Sequence, residues 1–294
     1  MTPEMPPATR FAPSPTGRLH LGHAFSALVA QRRARALRGR FLLRIDDIDP
    51  GRVRAEFRAA IDEDLGWLGL SPDAPPLVQS SRLPAYAAAL DQLVAERLAY
   101  PCFCTRAAIA AEIAASAAAP HGPADALYPG TCRAITPARA ADRIAAGQAH
   151  AWRLDSGKAA ARCGPLDWHD ERAGRIAAQP LLHGDIILAR RDAPASYHLA
   201  STLDDAHMAI SHVVRGADLL GATHIHRLLQ ALLGLPVPHY HHHPLVGDAG
   251  GRRLAKRDAA LSLAALRQAG ADPEILCADL LAGRLPLGTC WIAP

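Results

Sequence analysis

The chain of 294 residues lacks the features that mark membrane, secreted or disordered proteins. No apolar run is long enough to cross a bilayer, and the N-terminal MTPEMPPAT has neither the basic start nor the apolar middle of a signal peptide. Aromatic residues make up only 5% of the chain, but 50% of it is hydrophobic and 20% is charged. This composition is typical of a globular enzyme, and we expect it in the cytoplasm without a membrane partner.

Acidic residues are scarce in the first part of the chain. The overall net charge is only +4, yet residues 1–60 contain eleven arginines and five acidic residues, a local charge of +6. A basic half-domain suits a phosphate or polyanion ligand, although a solvated arginine-rich surface would give the same count.

The first fifty residues alternate between strand and helix patterns. Residues 10–12 resemble the end of a strand, residues 22–37 have the apolar spacing of a helix, and residues 40–45 form a second strand pattern. Strand, helix and strand in so short a stretch form a βαβ unit, which predicts a parallel sheet. Further helices are expected at 52–68 and from Ser80 or Ser81 onward.

A change of composition near residue 100 predicts four parts. We expect the first half of an α/β catalytic domain at 1–100 and its second half at 192–260. Between them, residues 101–191 read as an inserted subdomain with an alanine-rich helix at 107–119, and residues 261–294 as a short helical tail.

The segment RFAPSPTGRLHLGH, residues 10–23, connects the first strand to the first helix. Its prolines fix the loop backbone and Gly22 permits close approach of a ligand to the helix start. A helix N-terminus attracts phosphate, and His20 and His23 are placed to donate hydrogen bonds to it. Both histidines could instead cap the helix, but the pair after so constrained a loop favours a nucleotide site.

This segment resembles the signature of the class I aminoacyl-tRNA synthetases of the glutamyl type. The resemblance extends through five more motifs in order: LRIDDIDP, YHLASTLDD, HVVRGADLL, PHYHHHPLV and RRLAKRD. It covers most of residues 8–260. It implies a Rossmann-like parallel-sheet catalytic domain with an inserted zinc-containing subdomain that binds the acceptor RNA.

The resemblance implies ATP-dependent activation of L-glutamate, with Mg²⁺, to glutamyl-adenylate. Such chemistry needs positioning and cationic stabilisation of the phosphate oxygens. His20, Gly22 and His23 match the family's ATP-binding motif, and Lys256 on the Gly-Gly loop matches its catalytic lysine. Lys256 could otherwise be a solvated loop residue.

The family match also assigns a glutamate pocket. Arg10 suits bidentate binding of the substrate's side-chain carboxylate, and Asp46 matches the acid that meets its ammonium. The other matched positions are Phe11, Ala12, Pro13, Ser14, Tyr197 and Arg215. Asp46 could also be a cap in an acidic turn.

Three positions depart from the family pattern. Asp46 stands where most members have Glu, so its carboxylate is one methylene shorter. The Lys-x-Ser-Lys loop reads Arg253-Leu254-Ala255-Lys256, so its first cation is kept as arginine and its hydroxyl is lost. We expect slower or altered turnover rather than inactivity.

Cysteine is scarce, but three of the six residues lie close together in sequence, at Cys102, Cys104 and Cys132. In a cytoplasmic protein such clustering favours one structural Zn²⁺ over disulfides, with buried free thiols as the alternative. Zinc takes four ligands. Tyr128 matches an unusual fourth ligand in one subgroup of the family, and His121 and Cys163 are competitors.

The run HYHHH, residues 239–243, invites a metal interpretation. Adjacent side chains on an extended segment alternate sides and do not converge on one ion. The family pattern matches Pro238, Tyr240, His242 and Pro244, so we interpret the run as a strand near the ATP site with its other histidines facing solvent.

The acceptor is predicted from the length of the C-terminal part. Only 38 residues follow Lys256, fewer than a typical domain of ~100 residues. The resemblance is therefore to the subgroup that lacks an anticodon-binding domain and attaches glutamate to the queuosine base in the anticodon loop of tRNA(Asp). The alternatives are a truncated synthetase charging a tRNA 3′ end and an inactive RNA-binding paralogue. We expect a monomer.

Overall fold

The computed structural model describes residues 6–105, 107–109, 127–190, 192–254 and 262–292. The predicted helix at 107–119, and the residues His121, Ala255 and Lys256, lie wholly or largely outside these ranges.

The elements predicted in the first hundred residues agree with the structure to within a few residues. The strands are β1 Ala8–Phe11, β2 Arg40–Ile45, β3 Leu77–Val78, β4 Ala99–Cys102, β5 Ala151–Leu154, β6 Asp167–Asp170, β7 Gly174–Ala177, β8 Ile187–Arg190, β9 His212–Gly216, β10 His239–His243, β11 Leu245–Asp248 and β12 Thr289–Ile292. The α-helices are α1 Leu21–Ala36, α2 Ala55–Trp67, α3 Leu83–Ala95, α4 Pro137–Ala145, α5 Ser156–Cys163, α6 Tyr197–His207, α7 Leu220–Leu232, α8 Leu263–Gln268 and α9 Pro273–Leu281. Short 3₁₀ turns occur at Gln79–Arg82, Pro180–His183 and Ala217–Leu219.

The predicted parallel sheet is present, which confirms the α/β class. Strands β1, β2 and β3 pair in parallel, and β9 pairs in parallel with β10. Strand β9 lies beside β1, since the backbone N–H of Ser211 donates to the Ala8 carbonyl at 3.1 Å. The chain leaves β1 toward β2 and leaves β9 toward β10, in opposite directions. Ligands bind at such a switch point, beyond the carboxyl ends of the strands.

Residues 101–191 contribute to two sheets. Strands β4, β5 and β8 form an antiparallel sheet that carries the clustered cysteines at its edge. The hairpin of β6 and β7 instead extends the sheet of β9 and β10, because β6 pairs in parallel with β10. Part of this segment therefore supports the catalytic sheet directly.

The C-terminal segment is not entirely helical, which corrects the predicted helical tail. After α8 and α9, strand β12 pairs antiparallel with β11. Apolar side chains of the tail explain this position: Leu263, Leu276 and Leu280 join the core formed with α1, and Trp291 packs on Phe25.

No helix in the described ranges combines the length and the apolar character needed to span a membrane. The cytoplasmic location stays a prediction.

Candidate active site

A cavity of about 260 Å³ opens at the carboxyl ends of β1, β2, β9 and β10, at the switch point of the sheet. The structure brings to its wall all the predicted ligand-binding residues except Lys256: Arg10, Phe11, Ala12, Pro13, Ser14, His20, Gly22, His23, Asp46, Tyr197 and Arg215. They come from segments nearly two hundred residues apart in sequence.

His20 and His23 form a reciprocal cap at the start of α1. The backbone N–H of Gly22 donates to His20 Nδ1 at 3.1 Å, and the backbone N–H of His20 donates to His23 Nδ1 at 3.2 Å. Because both Nδ1 atoms accept, the proton of each neutral imidazole is on Nε2. The rings lie 3.9 Å apart between centroids and line the cavity. The capping alternative and the ligand-binding interpretation are therefore compatible. In each ring Nδ1 accepts the capping hydrogen bond, and the Nε2–H group is the donor for a ligand.

The absence of a side chain at Gly22 makes room for the imidazole ring of His20. A Cβ at this position would lie 3.1 Å from His20 Cε1 and 3.2 Å from its Nδ1. The missing side chain thus leaves room for the capping imidazole, in addition to the ligand access predicted from the sequence.

A buried ionic network lies behind the cavity wall and holds Arg10, Arg44 and Asp46, which line it. Asp205 Oδ1 accepts from Arg10 Nε at 2.8 Å and from Arg44 Nη1 at 2.6 Å, and its Oδ2 accepts from Arg10 Nη2 at 3.2 Å. Arg44 also binds Asp46 through Nε at 2.7 Å. Burial opposes ionisation of Asp205, but the two arginines outweigh it and lower its pKa. Two arginines and two carboxylates neutralise one another where water is excluded.

Asp46 lies where the ammonium-binding acid was predicted, at the edge of this network. Its backbone N–H donates to the Pro13 carbonyl at 3.0 Å, which fixes the loop that contains the shorter side chain. Burial raises the pKa of Asp46, against the opposing influence of Arg44 and Arg10. A cationic group of a ligand would favour the ionised carboxylate.

Arg215 differs from the other two arginines because its partners are neutral. Its Nη2 donates to Thr223 Oγ1 at 2.7 Å, its Nη1 to Tyr197 Oη at 3.1 Å and its Nε to His242 Nε2 at 3.1 Å. The residue is 4% exposed, and no carboxylate in the described ranges lies within 4 Å of its guanidinium. His226 Nδ1 lies 3.3 Å from its Nη1 and stays neutral, since burial and Arg215 hold the pKa of His226 well below its usual value. A buried guanidinium of this kind favours an anionic ligand.

The histidine run is placed differently from the prediction. His239 faces solvent, but His243 is buried, so the assignment of solvent exposure to it was wrong. His243 lies at the end of β10, packs edge-on against Phe25 at 5.0 Å and binds the Pro244 carbonyl through Nδ1 at 2.8 Å. Burial lowers its pKa to about 4. The strict alternation of sides ends where β10 ends.

The loop that leads to Lys256 is anchored at its base. Arg253, the retained first cation, binds Asp218 through Nη1 at 2.6 Å and lines the cavity. Arg253 therefore presents a cation to this side of the cavity, paired with the Asp218 carboxylate that lines the same wall.

A second cavity of about 710 Å³ adjoins the first and shares Ala12, Ser14, Asp46 and Tyr197 with it. Its outer wall comes from the antiparallel sheet and includes Arg190. A molecule too large for the first cavity can therefore reach Asp46 and Tyr197 from the side of the cysteine-bearing segment.

The three clustered cysteines converge with Tyr128. Their sulfurs all lie within 4.8 Å of one another, with Cys104 and Cys132 at 3.5 Å. Tyr128 Oη is 3.3 Å from Cys102 Sγ and 3.7 Å from Cys104 Sγ. Tetrahedral zinc with Zn–S bonds of about 2.3 Å separates its ligands by about 3.8 Å. The four atoms have a spacing close to that of a tetrahedral zinc site, and the three thiolates are soft donors that zinc accepts.

The alternatives for the fourth ligand separate in the structure. Cys163, at the end of α5, packs with the hydrophobic cluster of α3, α6 and α7 rather than with the other cysteines. Burial raises the pKa of Cys163, as expected for an inert thiol. Among the described residues, Tyr128 is the candidate that the geometry favours, and His121 lies outside them.

Sequence reasoning missed Arg44, Asp170, Asp205, Thr223 and His226. A signal existed for two of them: an arginine inside the apolar strand FLLRI and an acidic pair in YHLASTLDD each predict a buried ion pair. No spacing in the sequence relates Asp170 or His226 to Arg215, because these contacts depend on the pairing of strands and on the packing of α7.

Comparisons with known proteins show which proteins the chain is similar to. The family model described as tRNA synthetases class I (E and Q), catalytic domain, matches residues 8–283. The glutamyl-Q tRNA(Asp) synthetase of Rhodobacter capsulatus is 49% identical over 278 residues, which are 90% of this chain and 96% of that protein. A protein of the same name from Symbiobacterium thermophilum is 42% identical over 284 residues, which are 92% of this chain and 84% of that one.

A solved structure of a glutamate tRNA ligase is also similar to this chain. The crystal structure of a glutamate tRNA ligase from Elizabethkingia meningosepticum in complex with its amino acid is similar, with a TM-score of 0.72 and 28% identity. The match covers 86% of this chain and 52% of the other, so the chain spans about half the length of that ligase.

Proposed function

Since the chain belongs to the class I tRNA synthetases for glutamate and glutamine, we propose that it activates L-glutamate with ATP and transfers the glutamyl group to queuosine in the anticodon loop of tRNA(Asp). The observation that carries the choice of amino acid is Arg215, a buried cation without a carboxylate partner in the described residues. The names of the curated relatives support the choice of RNA.

The charges of the first cavity fit glutamate. The charged residues that line it are Arg10, Arg44, Arg215, Arg253, Asp46 and Asp218, and Asp205 lies behind them against Arg10 and Arg44. Four arginines and three carboxylates leave one positive charge in excess. Glutamate at neutral pH has one negative charge in excess. Its side-chain carboxylate is proposed to lie between Arg10 and Arg215, with the Tyr197 hydroxyl as a further donor, and its ammonium near Asp46.

Activation requires the glutamate α-carboxylate to attack the α-phosphorus of ATP, with pyrophosphate leaving. The Nε2 donors of His20 and His23 lie at the N-terminus of α1, where a phosphate oxygen is stabilised by the helix dipole. Lys256 and Arg253 are proposed to balance charge on the leaving pyrophosphate. Mg²⁺ accompanies ATP as part of this substrate.

Transfer requires a hydroxyl of the acceptor to attack the anhydride carbonyl, with AMP leaving. The second cavity, which also borders Tyr197 and Asp46, is proposed to give a base-sized group access to that carbonyl. A cyclopentene hydroxyl of queuosine is therefore proposed to enter from this side.

The cysteines and Tyr128 are proposed to hold one structural Zn²⁺. Bound zinc would fix the edge of the antiparallel sheet, of which β5 and β8 border the second cavity through Arg153 and Arg190. Its contribution to the acceptor site would be positional, without participation in the reaction.

The test is an acceptor assay with labelled glutamate and ATP. The substrates are queuosine-containing tRNA(Asp), queuosine-lacking tRNA(Asp), tRNA(Glu), and an isolated queuosine-containing anticodon stem-loop, which has no acceptor end. We expect label on the first and the last of these alone. Labelling of tRNA(Glu) alone would overturn the proposal in favour of a 3′-end synthetase. Absence of glutamate-dependent ATP–pyrophosphate exchange would overturn it in favour of a binding protein.

A further inference from the structure

Arg215 is oriented by a chain of buried contacts that reaches the β6 strand. His242 Nε2 accepts from Arg215 Nε at 3.1 Å, and His242 Nδ1 lies 2.7 Å from Asp170 Oδ2. Both His242 and Asp170 have side chains that are 1% exposed. Trp168 and Tyr240 flank the imidazole, with ring centroids 5.7 and 5.9 Å away. The chain of contacts is therefore dry and rigid.

The hydrogen bonds allow only one protonation pattern. Asp170 Oδ1 accepts from the backbone N–H groups of Arg172 and Ala173 at 2.9 and 3.0 Å, so both of its oxygens act as acceptors. Burial would raise the pKa of Asp170, but His242 and these N–H groups lower it. Burial and Arg215 lower the pKa of His242 to about 4. The pair is thus a carboxylate and a neutral imidazole that carries its proton on Nδ1.

We propose that Asp170 and His242 are positioning residues for glutamate binding, because Asp170 fixes the His242 tautomer whose Nε2 lone pair holds the Arg215 guanidinium toward the amino-acid pocket. This inference rests on the proposed function, since it assumes that Arg215 contacts glutamate. Neither residue lines the first cavity, so both act through Arg215.

The opposite tautomer would point an N–H group at Arg215 Nε, which is itself a donor. Two donors 3.1 Å apart repel each other, and the guanidinium would have to turn away from Tyr197 or lose its planar alignment with the pocket. The tautomer therefore decides whether the arginine is presented in a form that can bind a carboxylate.

Asp170→Asn is the decisive variant. The oxygen of the introduced carboxamide is expected to keep the two bonds from the Arg172 and Ala173 N–H groups rather than the single one from the His242 backbone N–H. This orientation places the amide NH₂ against His242 Nδ1 and moves the imidazole proton to Nε2. We expect the KM for glutamate to rise about 10- to 100-fold, the range found for disrupted supporting contacts, with the KM for ATP and the kcat nearly unchanged. The assay is glutamate-dependent ATP–pyrophosphate exchange.

Two further variants separate positioning from folding. His242→Gln retains an amide N–H for Asp170 and a carbonyl oxygen for Arg215, so the KM for glutamate should stay within a few-fold of wild type. Asp167→Asn is the matched control, since Asp167 lies on the same strand but binds the exposed Arg175. It should behave as wild type.

The ¹⁵N chemical shifts of the His242 ring report the tautomer independently of activity, and His242→Gln assigns the signal. A wild-type Nδ1–H form that reverses in Asp170→Asn supports the inference. An unchanged tautomer, or a reversed tautomer with a wild-type KM for glutamate, would overturn it. If the wild-type protein lacks glutamate-dependent exchange, the proposed function fails, while the ring shifts still decide whether Asp170 sets the tautomer.

Discussion

Replacing Arg215 by Met tests the amino-acid site with two readouts that move in opposite directions. The variant removes the guanidinium and keeps an apolar stem of similar length. Loss of one partner from a buried, hydrogen-bonded ion pair costs about 2–5 kcal/mol. At 1.36 kcal/mol per tenfold, the kcat/KM for glutamate should fall roughly 30- to 5,000-fold.

The thermal stability of the ligand-free Arg215→Met variant should not fall, although its kcat/KM for glutamate does. Arg215 is buried among neutral acceptors, so its desolvation is compensated only in part in the absence of an anion. Thr223 Oγ1 and His242 Nε2 lie 3.2 Å apart and can bond to each other once the guanidinium is gone. We expect the Tm of the variant to equal or exceed that of wild type.

Pyrophosphate exchange at varied glutamate and at varied ATP, together with thermal unfolding, measures both effects. The KM for ATP should stay close to wild type, which separates the amino-acid site from the nucleotide site. A lowered Tm with an unchanged KM for glutamate would refute the reasoning, because Arg215 would then be a structural residue.

Three further predictions address other parts of the molecule. The free energy of unfolding in urea should decrease as the pH falls from 6.5 to 4. His198, His242 and His243 have a pKa near 6.5 when unfolded and about 4 when buried, so the slope should be on the order of 4 kcal/mol per pH unit at its steepest. A flat profile would contradict their burial. Gly22→Ala should reduce kcat by up to about tenfold with little change in Tm, because a methyl group 3.1 Å from His20 Cε1 makes the ring shift by a few tenths of an ångström. Full activity would exclude a catalytic orientation of that ring. Cys132→Ser should lower the zinc content measured by plasma emission from one equivalent toward zero; an unaltered content would place the metal elsewhere.

The sequence was sufficient where function depends on local pattern. The strand HVVRG is β9 to the residue, and helix α1 starts one residue before the predicted Gly22. The loop of residues 10–23 was interpretable because prolines, glycines and histidines restrict what a strand-to-helix connection can do. In such motifs the residue types themselves restrict the backbone conformation, so the geometry can be predicted from the local sequence.

The sequence was insufficient where long-range packing decides. Asp205 unites Arg10 and Arg44 across more than 150 residues, and no periodicity relates them. His243 was misplaced because the end of a strand breaks the alternation of sides. Strand β12 was missed because TCWI follows loops and pairs only through β11.

The most direct test of the central claim is a crystal structure with a non-hydrolysable glutamyl-adenylate analogue. We predict its phosphate between His20 and His23, its ammonium against Asp46 and its side-chain carboxylate between Arg10 and Arg215. An analogue bound outside the cavity at the ends of β1 and β9, or with its carboxylate remote from Arg215, would contradict the account.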